Sequence, residues 1–296
     1  MKNHPTILAS LFLAIALTPS GLSAAPETVT AELQASAEAG NADAQFQLGR
    51  AYLRGTGVEE DPAKAFDLMK KAAAQGHAEA EGGLGYFYSV GLATEKNDEE
   101  AVAWFQKGAD KGVAKAQFNL GRMLTLGRGV PKDEGKGIEW IERSADQGFA
   151  DAQYLCGETY FLGKFGLAKN FAKAFGYVSK AAQTGLAGAQ NLAGVMLREG
   201  KGTERNPAEA EAWFRKSADQ GDVKAQSNLG HLLFQLPGER SAKIEGVKWL
   251  MLADHMGEPL AMKSLAEILE TLPEEEAAAA RRQAKNFKNS PTTPKS

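Results

Sequence analysis

The chain contains one cysteine, Cys156, and four histidines. A single thiol excludes an internal disulfide and any cysteine-rich metal site. His4, His77, His231 and His255 share no metal-ligand spacing, and the expectation is no metal and no cofactor. Basic residues are not in excess. A net charge of −3 over 296 residues argues against nucleic acid as a partner, because phosphate backbones select clustered Lys and Arg. H-E-x-x-H, G-x-S-x-G and S-x-x-K are all missing, which removes the usual starting points for zinc or serine hydrolysis. Long apolar runs are missing too. Ile7–Leu17 falls short of the roughly 20 residues that span a bilayer. With Lys2 ahead of it, and Pro19, Ser20, Gly21 and small residues up to Ala25 behind it, it reads as a secretory signal peptide covering residues 1–25. The expectation is export to the periplasm or beyond, with no membrane insertion after cleavage.

What the chain does have is repetition. Gly40, Gly76, Gly112, Gly148, Gly185, Gly221 and Gly257 recur every 36 or 37 residues. They divide the chain into units 41–76, 77–112, 113–148, 149–185, 186–221 and 222–257. The fourth position of every unit is alanine, from Ala44 to Ala225, and recurs as Ala261. The ninth is glycine, at Gly49, Gly85, Gly121, Gly157, Gly194 and Gly230. The twenty-eighth holds all four tryptophans, Trp104, Trp140, Trp213 and Trp249, with Leu68 and Tyr177 in the other two units. Period at this length marks a repeat architecture.

One unit reads as two helices. Ala42–Arg54 has helical apolar spacing and stops at Gly55-Thr56-Gly57. Asp61, Asn97, Asp133, Asn170 and Asn206 then stand where a second helix needs an N-cap. In unit six that place falls to Ala242, with Ser241 as the substitute cap. A mid-helix glycine costs about 1 kcal/mol relative to alanine. Its recurrence at the ninth position predicts a notch for a bulky neighbour, with the twenty-eighth-position ring of an adjacent unit as the candidate. Gly82-Gly83 should loosen the first helix of unit two, and Gly163–Gly166 should make the stack irregular there. Cys156 stands where other units have leucine, so it reads as a small buried hydrophobe rather than a redox group. The Gly-x-Gly turns lack the remaining phosphate-loop residues and read as helix connections.

The pattern A-x-A-Q-x-x-L-G-x-x-Y-x-x-G-x-G-V, followed by D-x-x-K-A and K-A-A-x-x-G, resembles the Sel1-like repeat. Ala42, Ala44, Gln45, Leu48, Gly49, Tyr52, Gly55, Gly57, Val58, Asp61, Lys64, Ala65, Lys71, Ala72, Ala73 and Gly76 carry it in unit one. The resemblance implies an all-α fold, a right-handed α-solenoid of antiparallel helix pairs related to tetratricopeptide superhelices. It also implies a non-catalytic adaptor. Residues 26–40 should form an N-terminal capping helix, residues 258–287 C-terminal capping helices, and residues 288–296 a disordered tail.

In such an architecture the first helices line a concave wall. Positions three, seven, ten and fourteen share one helix face. They are Asp43, Gln47, Arg50 and Arg54 in unit one; Lys115, Asn119 and Arg122 in unit three; Asp151 and Glu158 in unit four; Lys224, Asn228 and His231 in unit six. Amides and guanidinium groups can bind a peptide backbone or a carboxylate. The reading is an exported scaffold that binds a protein or peptide in the cell envelope. The alternatives are an envelope hydrolase or lactam binder, as in some cysteine-rich relatives, and a secreted host-interaction protein.

Overall fold

The computed structural model of the chain describes residues 29–235 and 240–288. Among them are fifteen helices and no strand. After α1 (Ala31–Glu38) come six helix pairs: α2 (Ala42–Arg54) with α3 (Pro62–Ala74), α4 (Ala78–Val90) with α5 (Asp98–Asp110), α6 (Ala114–Leu126) with α7 (Glu134–Asp146), α8 (Ala150–Leu162) with α9 (Phe171–Gln183), α10 (Ala187–Glu199) with α11 (Pro207–Asp219), and α12 (Val223–Gln235) with α13 (Arg240–His255). Then follow α14 (Pro259–Thr271) and α15 (Glu274–Lys288). The expected signal peptide, the unit-six loop at 236–238 and the tail from 289 lie outside the described residues.

Local chemistry sets the helix ends. Asp61, Asn97, Asp133, Asn170 and Asn206 each accept a backbone N–H of the first turn of α3, α5, α7, α9 and α11. Gly55 closes α2 in the left-handed conformation, with φ 65°. Two expectations need correction. α13 begins at Arg240, so Ser241 and Ala242 lie inside its first turn and are not its cap. α4 runs unbroken through Gly82-Gly83, because the glycine penalty is local and tertiary packing outweighs it.

The helix pairs stack in chain order, each second helix packing on the next first helix. Neighbouring first helices also approach one another directly (α4 with α6, α8 with α10, α10 with α12), more closely than second helices do. The stack therefore curves with its first helices on the inside.

The notch exists, but another residue fills it. A Cβ on Gly85 would lie 2.5 Å from the Phe105 ring, and one on Gly194 would lie 2.6 Å from that of Phe214. Both rings belong to position twenty-nine of the same unit, as do Met69, Ile141, Val178 and Leu250 beside Gly49, Gly121, Gly157 and Gly230. The twenty-eighth-position ring of an adjacent unit does not enter the notch. Successive helical residues point about 100° apart, so position twenty-eight lies to one side of the notch. It joins its own first helix to the preceding hairpin: Trp140 shares a core cluster with Leu120 and Leu124 of α6 and with Ala101, Phe105 and Ala109 of α5, and Trp249 one with Leu229 and Leu233 of α12 and with Ala210 and Phe214 of α11. A cation covers each tryptophan, Lys107 on Trp104 at 3.8 Å and Arg143 on Trp140 at 4.6 Å among them.

A polar seam ties the hairpins together. The Nε2 groups of Gln45, Gln117, Gln153, Gln190 and Gln226 donate to the carbonyls of Ala37, Ala109, Ala145, Ala182 and Ala218 in the preceding second helix. Three of their side-chain oxygens then accept within the unit, Gln75 donating to Gln45 at 2.9 Å, Gln147 to Gln117 at 2.7 Å and Gln220 to Gln190 at 2.8 Å, whereas Gln226 Oε1 is buried without a hydrogen-bond partner. Buried amides satisfied in this way fix the register of the stack. Because α1 supplies the Ala37 carbonyl, it stands in for a preceding second helix. At the other end α15 packs on α13, with Phe287 edge-on to Trp249 at 5.0 Å.

Candidate binding wall

The first helices turn one face into the core and the opposite face to the inside of the curve. The turned-out side chains from successive units come within electrostatic reach of one another. Lys115 on α6 is exposed, yet the curved wall strips solvent from its ammonium. That desolvation, reinforced by Arg54 and Arg50 on α2 and opposed by Asp151 on α8, lowers its pKa below the ordinary lysine value. Burial lowers Arg122 as well, and Arg128 adds to the effect while Asp151 opposes it. Burial raises the Asp151 carboxyl, against the pull of Lys115 and Arg122. The wall thus links α2, α6 and α8 through four cations and one carboxylate.

Aromatic rings support these charges. Arg50 lies over Phe46 at 5.6 Å, Arg122 over Phe118 at 5.5 Å, and Lys115 near Tyr86 at 5.9 Å. Gln47 and Arg54 are exposed on the same stretch, and Asn119 is half-buried. Farther along, Glu158 pairs with Lys164 at 3.2 Å. Tyr154 is pushed up to about 12, by burial first and then by Glu158 and Asp222. Asn228 accepts from Arg198 at 3.1 Å and donates to Asn191 at 2.9 Å. His231 donates from Nδ1 to the Ser227 carbonyl at 2.7 Å, and its Nε2 lies 2.6 Å from Ser264 Oγ. Thus Asn228 and His231 bridge α10, α12 and α14, whereas Arg50, Arg54 and Lys115 gather around one recess.

Arg198 and Asn191 were not among the candidate positions. They occupy the thirteenth and sixth positions of unit five, and the wall is wider than the four-position stripe read from helix geometry. The signal was present at position six, where Phe46, Phe118 and Tyr154 recur. At the wall position Asp43, the carboxylate is held by His77, which caps α4 by accepting the Ala80 N–H and whose Nε2 meets Asp43 Oδ1 at 3.1 Å. Burial pushes the Cys156 thiol up to about 12, with Glu142 adding to the effect, so it packs as a hydrophobe. Among the described residues no cluster of three or more His, Cys, Asp or Glu could hold a metal ion. Among them, too, no helix is long and apolar enough to cross a membrane.

Helix pairs of one length, stacked in register through one recurring glutamine, match a known family model. The Sel1 repeat model matches residues 42–77, 78–113, 114–149, 150–186 and 187–222, more than half of the chain. The chain belongs to the Sel1 repeat family. The sixth helix pair, α12 with α13, falls outside those five matches. It lacks the Gly-x-Gly turn, and α13 is 16 residues long where the other second helices have 13. A Sel1 repeat protein from Oxalobacter formigenes is 30% identical, covering 74% of this chain and 89% of that one, with a TM-score of 0.65. The c5321 protective antigen of uropathogenic Escherichia coli strains, which displays an SLR fold, is 25% identical over 86% of this chain and 70% of that one, with a TM-score of 0.38. A Sel1 repeat protein from Klebsiella pneumoniae is 23% identical over 68% and 98%, with a TM-score of 0.47. No curated protein matches the chain. A Sel1 repeat array of this kind is a frame suited to protein–protein interaction.

Proposed function

We propose that the protein is an exported, non-catalytic scaffold that holds a protein or peptide partner along the inner wall of its Sel1 array, in the cell envelope. One observation carries the reading. The wall carries charged and amide side chains on α2, α6, α8, α10 and α12 that reach from unit to unit, while the stacking core is built from other positions. A concave surface built this way offers hydrogen bonds and charge along an extended chain. The apolar run at Ile7–Leu17 supports export.

Affinity capture from an envelope extract tests the partner. A protein retained by the wild type and lost by Lys115→Glu/Arg122→Glu, at unchanged helicity and Tm, supports the wall. Equal retention by both would overturn it. Cell fractionation tests export, and accumulation of the intact chain in the cytoplasm would count against it.

A further inference from the structure

The wall has a gap. Position six carries Phe46, Phe118 and Tyr154 in units one, three and four, but Gly82 in unit two, and Gly83 follows it. The missing side chains leave a recess of about 260 Å³ between α2, α4 and α6. Its floor is Met69, Phe87 and Ala116, all otherwise part of the buried core, and Phe46 and Tyr86 wall it. An apolar cavity of roughly 150 Å³ already admits a benzene ring.

The recess is charged on its lining as well as apolar at its base. Arg50, Arg54 and Lys115 stand on it against a single carboxylate, Glu79. Arg54 and Lys115 are both exposed at its mouth, where a bound carboxylate could reach them. A ligand that supplies negative charge beside an apolar group would relieve both conditions at once.

Building on the partner-binding reading above, we propose that the Gly82-Gly83 recess takes one large apolar side chain of an extended partner peptide, and that Arg50, Arg54 and Lys115 pair with carboxylate side chains flanking it. Glu79 disfavours acids on its own side, so the flanking carboxylates lie toward Lys115 and the α2 arginines.

Fluorescence anisotropy with the purified protein tests this. The probe is an N-acetylated, C-amidated peptide with one phenylalanine between two Asp-Glu pairs; controls replace the phenylalanine with alanine, or the acids with serine. The wild type should bind the probe at least tenfold more tightly than either control, and more weakly as salt rises. Gly83→Leu fills the recess with a side chain already found at that position in unit four (Leu155) and unit five (Leu192), and its Cβ would meet only the flexible Met69 side chain, with Sδ at 3.3 Å. It should keep its Tm and lose the preference for phenylalanine. Lys115→Glu/Arg54→Glu should lose the preference for acids. Equal binding of probe and alanine control by the wild type overturns the proposal, as does unchanged discrimination by Gly83→Leu. Displacement of the probe by laurate at equal concentration would also overturn it, in favour of a lipid. A partner captured from the envelope by wild type and Gly83→Leu alike would leave the scaffold reading standing and remove only the recess.

Discussion

Glu81 Oε1 accepts a hydrogen bond from Lys111 Nζ at 2.7 Å, at the point of the seam where units one, three and five each place a pair of glutamines. The substitution is incomplete as chemistry. A glutamine here donates to the carbonyl eight residues earlier, as Gln45 does to Ala37. A carboxylate has no donor for the equivalent Ala73 carbonyl, and Glu81 Oε2 is buried without a hydrogen-bond partner. Glu81→Gln restores the donor and leaves an oxygen for Lys111, which is solvated enough to lose its anion. The variant should be stabilised by about 1 kcal/mol, a rise of about 2–4 °C in Tm by circular dichroism.

The notches of the ninth position are not equivalent. A Cβ at Gly121 would meet the Gly137 carbonyl oxygen at 2.5 Å and Ile141 at 2.6 Å, and backbone cannot yield. Gly121→Ala should lose about 2–3 kcal/mol in a thermal melt. At Gly49 all three nearest atoms stand at 3.3 Å, and the gain in helix propensity of about 1 kcal/mol opposes the squeeze. Gly49→Ala should therefore stay within about 1 kcal/mol of wild type.

The second glycine of the inter-helix turn invites the opposite change. Ala93 holds that place in unit two at φ 55°, where Gly57, Gly129 and Gly202 stand in units one, three and five. Left-handed backbone costs a side-chain-bearing residue roughly 1–2 kcal/mol. Ala93→Gly should raise Tm by a few degrees, net of the greater freedom glycine has when unfolded. Gly129→Ala should lower it sharply, since its Cβ would lie 2.2 Å from the Asp98 carbonyl oxygen.

Acid should loosen the junction between units five and six. Arg215 donates to both Glu245 oxygens, at 2.5 and 3.3 Å. Burial alone would raise the Glu245 carboxyl, but the hydrogen bond and charge of Arg215, with Lys248, hold it below its ordinary value of 4.5. A carboxyl depressed by folding stabilises the fold above its unfolded value, and that contribution is lost as pH falls through the folded one. Tm should thus decline from about pH 4.5 downward, and Glu245→Gln should decline less over that window while being less stable at neutral pH.

Helix boundaries were legible in the sequence because their causes are local. Caps such as Asp61 and stops such as Gly55 act within one turn of the residues they serve. Helical spacing places Arg50, Arg54 and Lys115 on the same face of their helices; that they stand around a recess, that Arg198 reaches Asn228, and that Gly82-Gly83 open a vacancy depend on neighbouring helices.

The sequence by itself determined that this chain repeats a capped pair of helices and leaves a small-residue notch in each, because periodicity and capping are properties of neighbouring residues. Only the tertiary structure decided what enters the notch, which side chains meet across units, and that two glycines open a recess under three cations. Those outcomes depend on how helices approach one another. Positions twenty-eight and twenty-nine are adjacent along the chain, yet twenty-nine closes the notch of its own hairpin, while the tryptophans at twenty-eight join that hairpin to the one before.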